Sequence, residues 1–386
     1  MNEIYFDHAA TTPVRDEVFA EMKPYYDGTM IGNASSIHRF GRKVRVGIDE
    51  ARRVVAGQLN SHRDEIIFTS GGTESNNLAI RGAVHTRKQT GKHIVTSQIE
   101  HHAVLHVLDQ LEDEGFEVTR LPVDERGVVN AADVERALRP DTILVSIMHG
   151  NNETGMIQPI EAISSLLENH EALFHTDAVQ SFGKMNFDVQ ALGVDLLTGS
   201  AHKVNGPKGA GFLYVKKGTN IQALIYGGEQ EKKLRPGTEN AAAIAGLKKA
   251  VQLLGQDGER NADHSRELKE KLVEELRNRD VPFEINGALT DSLPHIINIS
   301  FPGSLTEPML AQLDMAGIAV SSGSACTAGS FQPSHVLEAM YGSDDERVKN
   351  SLRFSFGYGN DEQQVIHSAK QLEQITRLIR EKRTEV

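Results

Sequence analysis

Between residues 65 and 215 the sequence alternates short runs of β-branched and apolar residues with longer stretches of helical character. The short runs are EIIFTS, HIVTSQ, EVTRLPV, TILVSIM, LFHTDA, VDLLTGS and GAGFLYV. TILVSIM is apolar almost throughout, as suits a strand covered on both faces. The intervening stretches carry Leu78, Ile80 and Val84, and then Val104, Leu105, Leu108 and Leu111. Strands separated by helices in this way predict an α/β fold: a mostly parallel seven-stranded sheet wrapped by helices.

The helical stretch TENAAAIAGLKKAVQLL runs into GQDGERN, which reads as a turn and a domain boundary. Beyond it the pattern is helix, strand, helix, strand, loop, strand, helix, which predicts a smaller α+β domain. The division expected is residues 16–256 for the large domain, with 1–15 and 257–386 forming the small one. The last helix is expected to open at Asn360 with Gln363 closing a capping box. Its apolar stripe is Val365, Ala369, Leu372, Ile375 and Ile379.

A net charge of -12 with no basic stretch argues against a nucleic-acid or membrane-surface binder. The N-terminus lacks the basic and apolar layout of a signal peptide, and no apolar run is long enough to span a bilayer. A single cysteine, Cys326, excludes an internal disulfide framework and points to a reducing cytoplasm.

In open α/β sheets ligands bind beyond the carboxyl ends of the strands. Those ends here deliver Thr73, His101, Asn152, Asp177, Gln180, Ser200, His202 and Lys203 toward one rim. Turn chemistry explains the glycines and serines there. It explains a lysine, an aspartate and two histidines less well. Gly71 and Gly72 before a helix starting near Thr73 suit a phosphate, whose charge the free N–H groups would meet. The glycine-lysine-serine/threonine ending of a nucleotide P-loop is missing. An aspartate can pair with a protonated pyridine nitrogen, and a lysine can form a Schiff base. Phosphate, acid and lysine together suit pyridoxal 5′-phosphate (PLP). His102 and His106, four apart on a helix, could share a metal, but no third ligand is evident and no metal is expected. Cys326 sits in SSGSACTAGS among small polar residues, whereas a packed thiol usually has apolar neighbours.

FDHAATTP, SGGTESNN, EHHA, NNETG, HTDAVQ, SAHKVNGPKGAG, RPGTEN, SSGSACTAGS and SLRFSFG occur in this order over nearly the whole chain. Together they resemble the cysteine desulfurases of the NifS/IscS-like branch, PLP enzymes of fold type I in the class V aminotransferase group. The resemblance implies that Lys203 holds PLP, Asp177 keeps its ring nitrogen protonated and Gln180 bonds the ring hydroxyl. It implies that His101 stacks on the ring and assists proton transfer, while Thr73, Ser200 and His202 hold the phosphate. Thr238 of RPGTEN would reach the phosphate of a neighbouring subunit, implying a homodimer. Arg353 would clamp the carboxylate of L-cysteine, helped by Asn152.

The implied reaction releases L-alanine and leaves a persulfide on Cys326, whose thiolate attacks the substrate sulfur. The cysteine loop, about residues 321–336, resembles the longer of the family's two styles. Its glycines and serines suit a mobile arm that would pass sulfur to an acceptor protein, an iron–sulfur scaffold or a tRNA-thiolating enzyme. Two competing readings are a PLP aminotransferase or selenocysteine lyase, the former not needing Cys326, and a sulfur-relay protein with a vestigial site.

Overall fold

The structure is a computed structural model that describes residues 3–323 and 333–384. Its strands, in chain order, are β1 (Ile4–Tyr5), β2 (Ile66–Thr69), β3 (His93–Ser97), β4 (Glu117–Leu121), β5 (Thr142–Ser146) and β6 (Leu173–Asp177). They continue as β7 (Leu196–Ser200), β8 (Gly211–Val215), β9 (Glu284–Asn286), β10 (Ile296–Ser300), β11 (Ile318–Ala319) and β12 (Ser351–Ser355). Each of the seven short runs singled out in the sequence forms a strand.

These seven make one sheet in the order β2-β8-β7-β6-β5-β3-β4. Neighbours pair in parallel from β7 through β6, β5 and β3 to β4, while β8 runs antiparallel to both β2 and β7. Successive side chains point to opposite faces of a strand, and here both faces are covered. Phe68, Val95, Val145, Phe174, Leu197 and Phe212 enter one apolar core. Ile67, Ile94, Leu144, Leu173, Leu196 and Leu213 enter another on the opposite side. Helices Gly72–Arg87 and His102–Asp113 pack into this second core, and helix Arg39–Gln58 into the first. That double burial is why the strands read as continuous apolar runs.

A further core is built on the antiparallel sheet β12-β10-β9, and it takes in Ile4, Phe6, Leu272, Phe354, Val365 and Leu372. The chain start joins it, since β1 pairs in parallel with β11. Phe6 and Phe356 meet edge to face at 5.0 Å in this core.

Two local expectations are corrected. GQDGERN is not a turn: one helix runs unbroken over Ala241–Asn278. Glycine inside a helix costs about 1 kcal/mol relative to alanine. Anchoring on both sides outweighs that cost here, because Leu247, Ala250 and Val251 are buried in the first core and Leu268, Leu272 and Leu276 in the third. The final helix, Glu362–Thr384, is capped one residue later than expected. Asp361 Oδ1 accepts from the Gln364 N–H at 2.9 Å, and Gln364 Oε1 accepts from the Asp361 N–H at 3.3 Å. Asn360 instead donates its side-chain amide to the Tyr5 carbonyl. The pattern also missed β9 and the short helices His335–Tyr341 and Arg347–Asn350, which are too brief to show a period.

Candidate active site

At the carboxyl ends of β2, β3, β5, β6 and β7 lies a cavity of about 360 Å³. Thr73, His101, Asn152, Asp177, Gln180, His202, Lys203 and Arg353 all line it. The first seven come from the rim of the large sheet. Arg353 comes from β12, so the cavity lies where the two sheets meet.

Lys203 closes a short 3-10 turn directly after β7. Its ammonium group donates to the carbonyls of Ala9 and Ala10, the latter at 2.8 Å. Asp177 ends β6 and is buried. Its carboxylate accepts from Asn76 Nδ2 at 2.6 Å and from the Val179 N–H at 2.9 Å, which fixes its orientation. Gln180, one turn on, donates to the Ala9 carbonyl at 2.8 Å and leaves its Oε1 buried without a partner among the described residues.

His101 caps helix His102–Asp113, with Nδ1 accepting from the Ala103 N–H at 3.0 Å. That bond requires Nδ1 to be unprotonated, so the neutral ring carries its proton on Nε2. Burial lowers the His101 pKa; the Asp177 carboxylate opposes this, and the Lys203 charge adds to it. His202 is pushed down to about 4 by burial, with the Lys203 and Lys208 charges adding to the effect.

Helix Gly72–Arg87 opens at the rim. Gly71 has φ 151°, a conformation that favours glycine, and an added Cβ on Gly211 would lie 2.6 Å from its Cα. Gly72 is crowded too: a Cβ there would lie 2.8 Å from Val179 Cγ2 and 3.9 Å from Ser200 Cβ. Ser200 therefore sits beside the helix N-terminus, and its buried Oγ has no partner among the described residues.

The Arg353 side chain is 3% exposed, and its guanidinium pairs with Asp7 Oδ1 at 2.8 Å. It also donates to the Asn152 carbonyl at 2.9 Å, while its Nε lacks a partner among the described residues. Thr238 is not brought to the cavity. It is exposed in a separate depression of about 180 Å³ with Arg235 and Asn240. Cys326 lies outside the described residues. His102 stacks on His106 at 4.9 Å and tilts against His335 at 4.8 Å. Among the described residues no three His, Cys, Asp or Glu side chains are grouped as a metal site, and no helix is long and apolar enough to cross a membrane.

Sequence reasoning missed several members of this site. Asn76 and Asp7 lie inside motifs already singled out, SGGTESNN and FDHAATTP, yet only the fold reveals that they hold Asp177 and Arg353. Glu100 is a second case. Its Oε1 accepts from Ser97 Oγ at 2.6 Å and from the Met148 N–H at 2.9 Å, tying the end of β3 to the end of β5. Complete burial, with the Asp177 carboxylate nearby, pushes it up to about 8.

A lysine, a buried carboxylate, a histidine and a helix N-terminus around one cavity define a cofactor-dependent enzyme of the fold-type I class. The chain belongs to the class V aminotransferase family, whose model matches residues 4–367. Within it, the chain is 51% identical over 377 residues to IscS 1 of Bacillus subtilis (strain 168), covering 98% of this chain and 99% of that one. It is 47% identical over 378 residues to the cysteine desulfurase IscS of Dictyoglomus turgidum, covering 98% and 95%. Among solved structures it is similar to a NifS-like protein, with TM-score 0.91, 38% identity and coverage of 98% and 100%. These likenesses put it with the cysteine desulfurases, a group of PLP enzymes.

Proposed function

We propose that the protein takes sulfur from L-cysteine, releases L-alanine and carries the sulfur as a persulfide on Cys326. The observation that carries this reading is the convergence of Lys203, Asp177, His101 and Arg353 on one cavity. The cavity's polar residues fit PLP. Asp177, oriented by Asn76, would face a protonated ring nitrogen, and the unpartnered Gln180 Oε1 matches the ring hydroxyl. The unpartnered Ser200 Oγ, with Thr73, His202 and the helix N-terminus, would hold the phosphate. Lys203 would hold the cofactor covalently.

When bound, PLP supplies an electron sink that lets the substrate Cα lose its proton and weakens the bond from Cβ to sulfur. The chain's own groups do the rest. Arg353 and Asn152 orient the substrate carboxylate, with Asp7 holding the guanidinium in place. The freed Lys203 amine moves the Cα proton. His101 holds a proton on Nε2 at the cavity wall and can give it up as charge develops. The Cys326 thiolate attacks the substrate sulfur, so the S–Cβ electron pair stays with the carbon fragment that becomes alanine.

The working unit is a homodimer in this reading. Phe19, Tyr26, Ile31, Ile37, Ile225 and Tyr226 are exposed large apolar side chains of the kind that an interface covers. Thr238, exposed and away from its own cavity, would then reach across to the partner's phosphate. A reducing cytoplasm would keep Cys326 as a thiol. Sulfur would pass to acceptor proteins for iron–sulfur cluster assembly or tRNA thiolation.

The test is to load the purified protein with PLP, add L-cysteine with a thiol reductant, and measure alanine and sulfide. Wild type should yield both in equal amounts, and Cys326→Ser should yield neither at a comparable rate. Borohydride should fix the cofactor onto the Lys203 peptide. Undiminished alanine from Cys326→Ser would refute the sulfur-accepting role.

A further inference from the structure

Glu153 follows Asn152 in the NNETG motif and is 2% exposed. Its main chain is fixed on both sides. The Glu153 N–H donates to Asn151 Oδ1 at 2.8 Å, and its carbonyl accepts from Asn298 Nδ2 at 3.3 Å. Neither contact explains why a carboxylate is buried at this position, which is a costly place for one.

Its surroundings do explain it. Ser334 donates its hydroxyl to Glu153 Oε2, and the same Ser334 Oγ caps helix His335–Tyr341 by accepting from the Leu337 N–H at 3.1 Å. Gly323 lies against the same Glu153 oxygen. A Cβ on Gly323 would lie 1.8 Å from Glu153 Oε2 and 3.1 Å from Ser334 Cβ. Gly323 and Ser334 thus come together at Glu153 Oε2. They flank residues 324–332, the stretch that bears Cys326.

The neighbouring anchors tie both points to the site. Upstream, Ser321 exchanges main-chain hydrogen bonds with Arg353, at 2.7 and 3.2 Å. Gly323 itself lines the cavity. Downstream, His335 Nε2 meets the Glu100 carbonyl at 3.0 Å, next to His101.

We infer that Glu153 is a positioning residue that clips together the two ends of the Cys326-bearing stretch at the rim of the cavity. The inference rests on the proposed role of Cys326. Closing a loop costs entropy that its ends must offset by binding to something fixed. The buried carboxylate provides that point, and a side chain at position 323 would push Oε2 out of its place beside Ser334. The clip acts on sulfur transfer to Cys326 and leaves L-cysteine binding to Arg353 and Asn152 alone.

The test uses the PLP-loaded enzyme with Glu153→Ala, Gly323→Ala, the double variant and Glu153→Gln. Because Cys326 is the only cysteine, iodoacetamide alkylation reports on it without ambiguity. In Glu153→Ala and Gly323→Ala, alkylation of Cys326 should speed up. Single-turnover persulfide formation should slow by about tenfold or more, since small misplacements of reacting groups are costly in rate. The KM for L-cysteine should stay within about twofold while kcat falls. Adding Gly323→Ala to Glu153→Ala should cost little more, because the overlapping oxygen is already gone. Glu153→Gln, which can still accept from Ser334, should recover most of the rate. A lowered melting temperature with unchanged alkylation and persulfide rates would overturn the clip. Undiminished alanine from Cys326→Ser would overturn the sulfur-accepting reading instead, and the alkylation rates would still decide the clip.

Discussion

Replacing Glu100 by glutamine should change how stability depends on pH. Glu100 is wholly buried, and its carboxyl is pushed from the ordinary 4.5 up to about 8, by burial first and the Asp177 carboxylate second. The hydrogen bonds from Ser97 and Met148 pull the other way without winning. Between those two values the folded protein holds a proton that the unfolded chain has released. Stability therefore falls as pH rises through this window, and is flat with respect to this group above it. Each pH unit in the window is worth about 1.4 kcal/mol. From pH 5 to pH 9 the wild type should lose of order 4 kcal/mol that Glu100→Gln does not lose. The variant can keep the acceptor for Ser97 and Met148, and any cost of its unpartnered amide is about 1–3 kcal/mol at every pH. The difference between the two proteins across pH thus isolates the carboxyl group. Urea unfolding of wild type and Glu100→Gln at matched concentration, in steps from pH 5 to 9, measures it. Parallel curves over that range would refute the assignment of a buried protonated carboxyl group.

Other perturbations give further checks. Glu231 accepts two hydrogen bonds from Arg52, at 2.5 and 2.7 Å, and one from the Phe68 N–H at 2.8 Å. With both side chains largely buried, Glu231→Ala should cost about 3–5 kcal/mol in unfolding free energy, because Arg52 is left without its counter-charge. Arg353→Lys should raise the KM for L-cysteine by about tenfold or more in steady-state assays, since a charge-assisted hydrogen bond contributes about 1.5–3 kcal/mol. His101→Ala should keep its cofactor, read from absorbance, while kcat falls by about 10²–10⁴, the range for a general acid or base.

The strands were legible because burial on both faces writes an uninterrupted apolar run into each of them, as in TILVSIM and LFHTDA. The rim residues were legible for a related reason. A lysine, an aspartate and histidines are poor choices for plain turns, so Lys203, Asp177, His101 and His202 stood out. What supports them was not legible. Asp7 and Arg353 are 346 positions apart, and their pairing arises only when β12 is brought beside the chain start. Asn76 looks like any polar helix residue until its helix packs against β6 and meets Asp177. The glycines in GQDGERN mimic a turn locally, yet burial at both ends of Ala241–Asn278 overrides them. Glu153 gave no signal either, because Gly323 and Ser334 flank a stretch whose closure no local pattern encodes.

The account turns on where the substrate sulfur goes. The most direct measurement is the mass of the Cys326 peptide after PLP-loaded protein receives one equivalent of L-cysteine without reductant. The account predicts a peptide heavier by one sulfur atom, formed in step with alanine and absent in Lys203→Ala. Alanine formed in full with the Cys326 peptide unmodified from the earliest time points would contradict it.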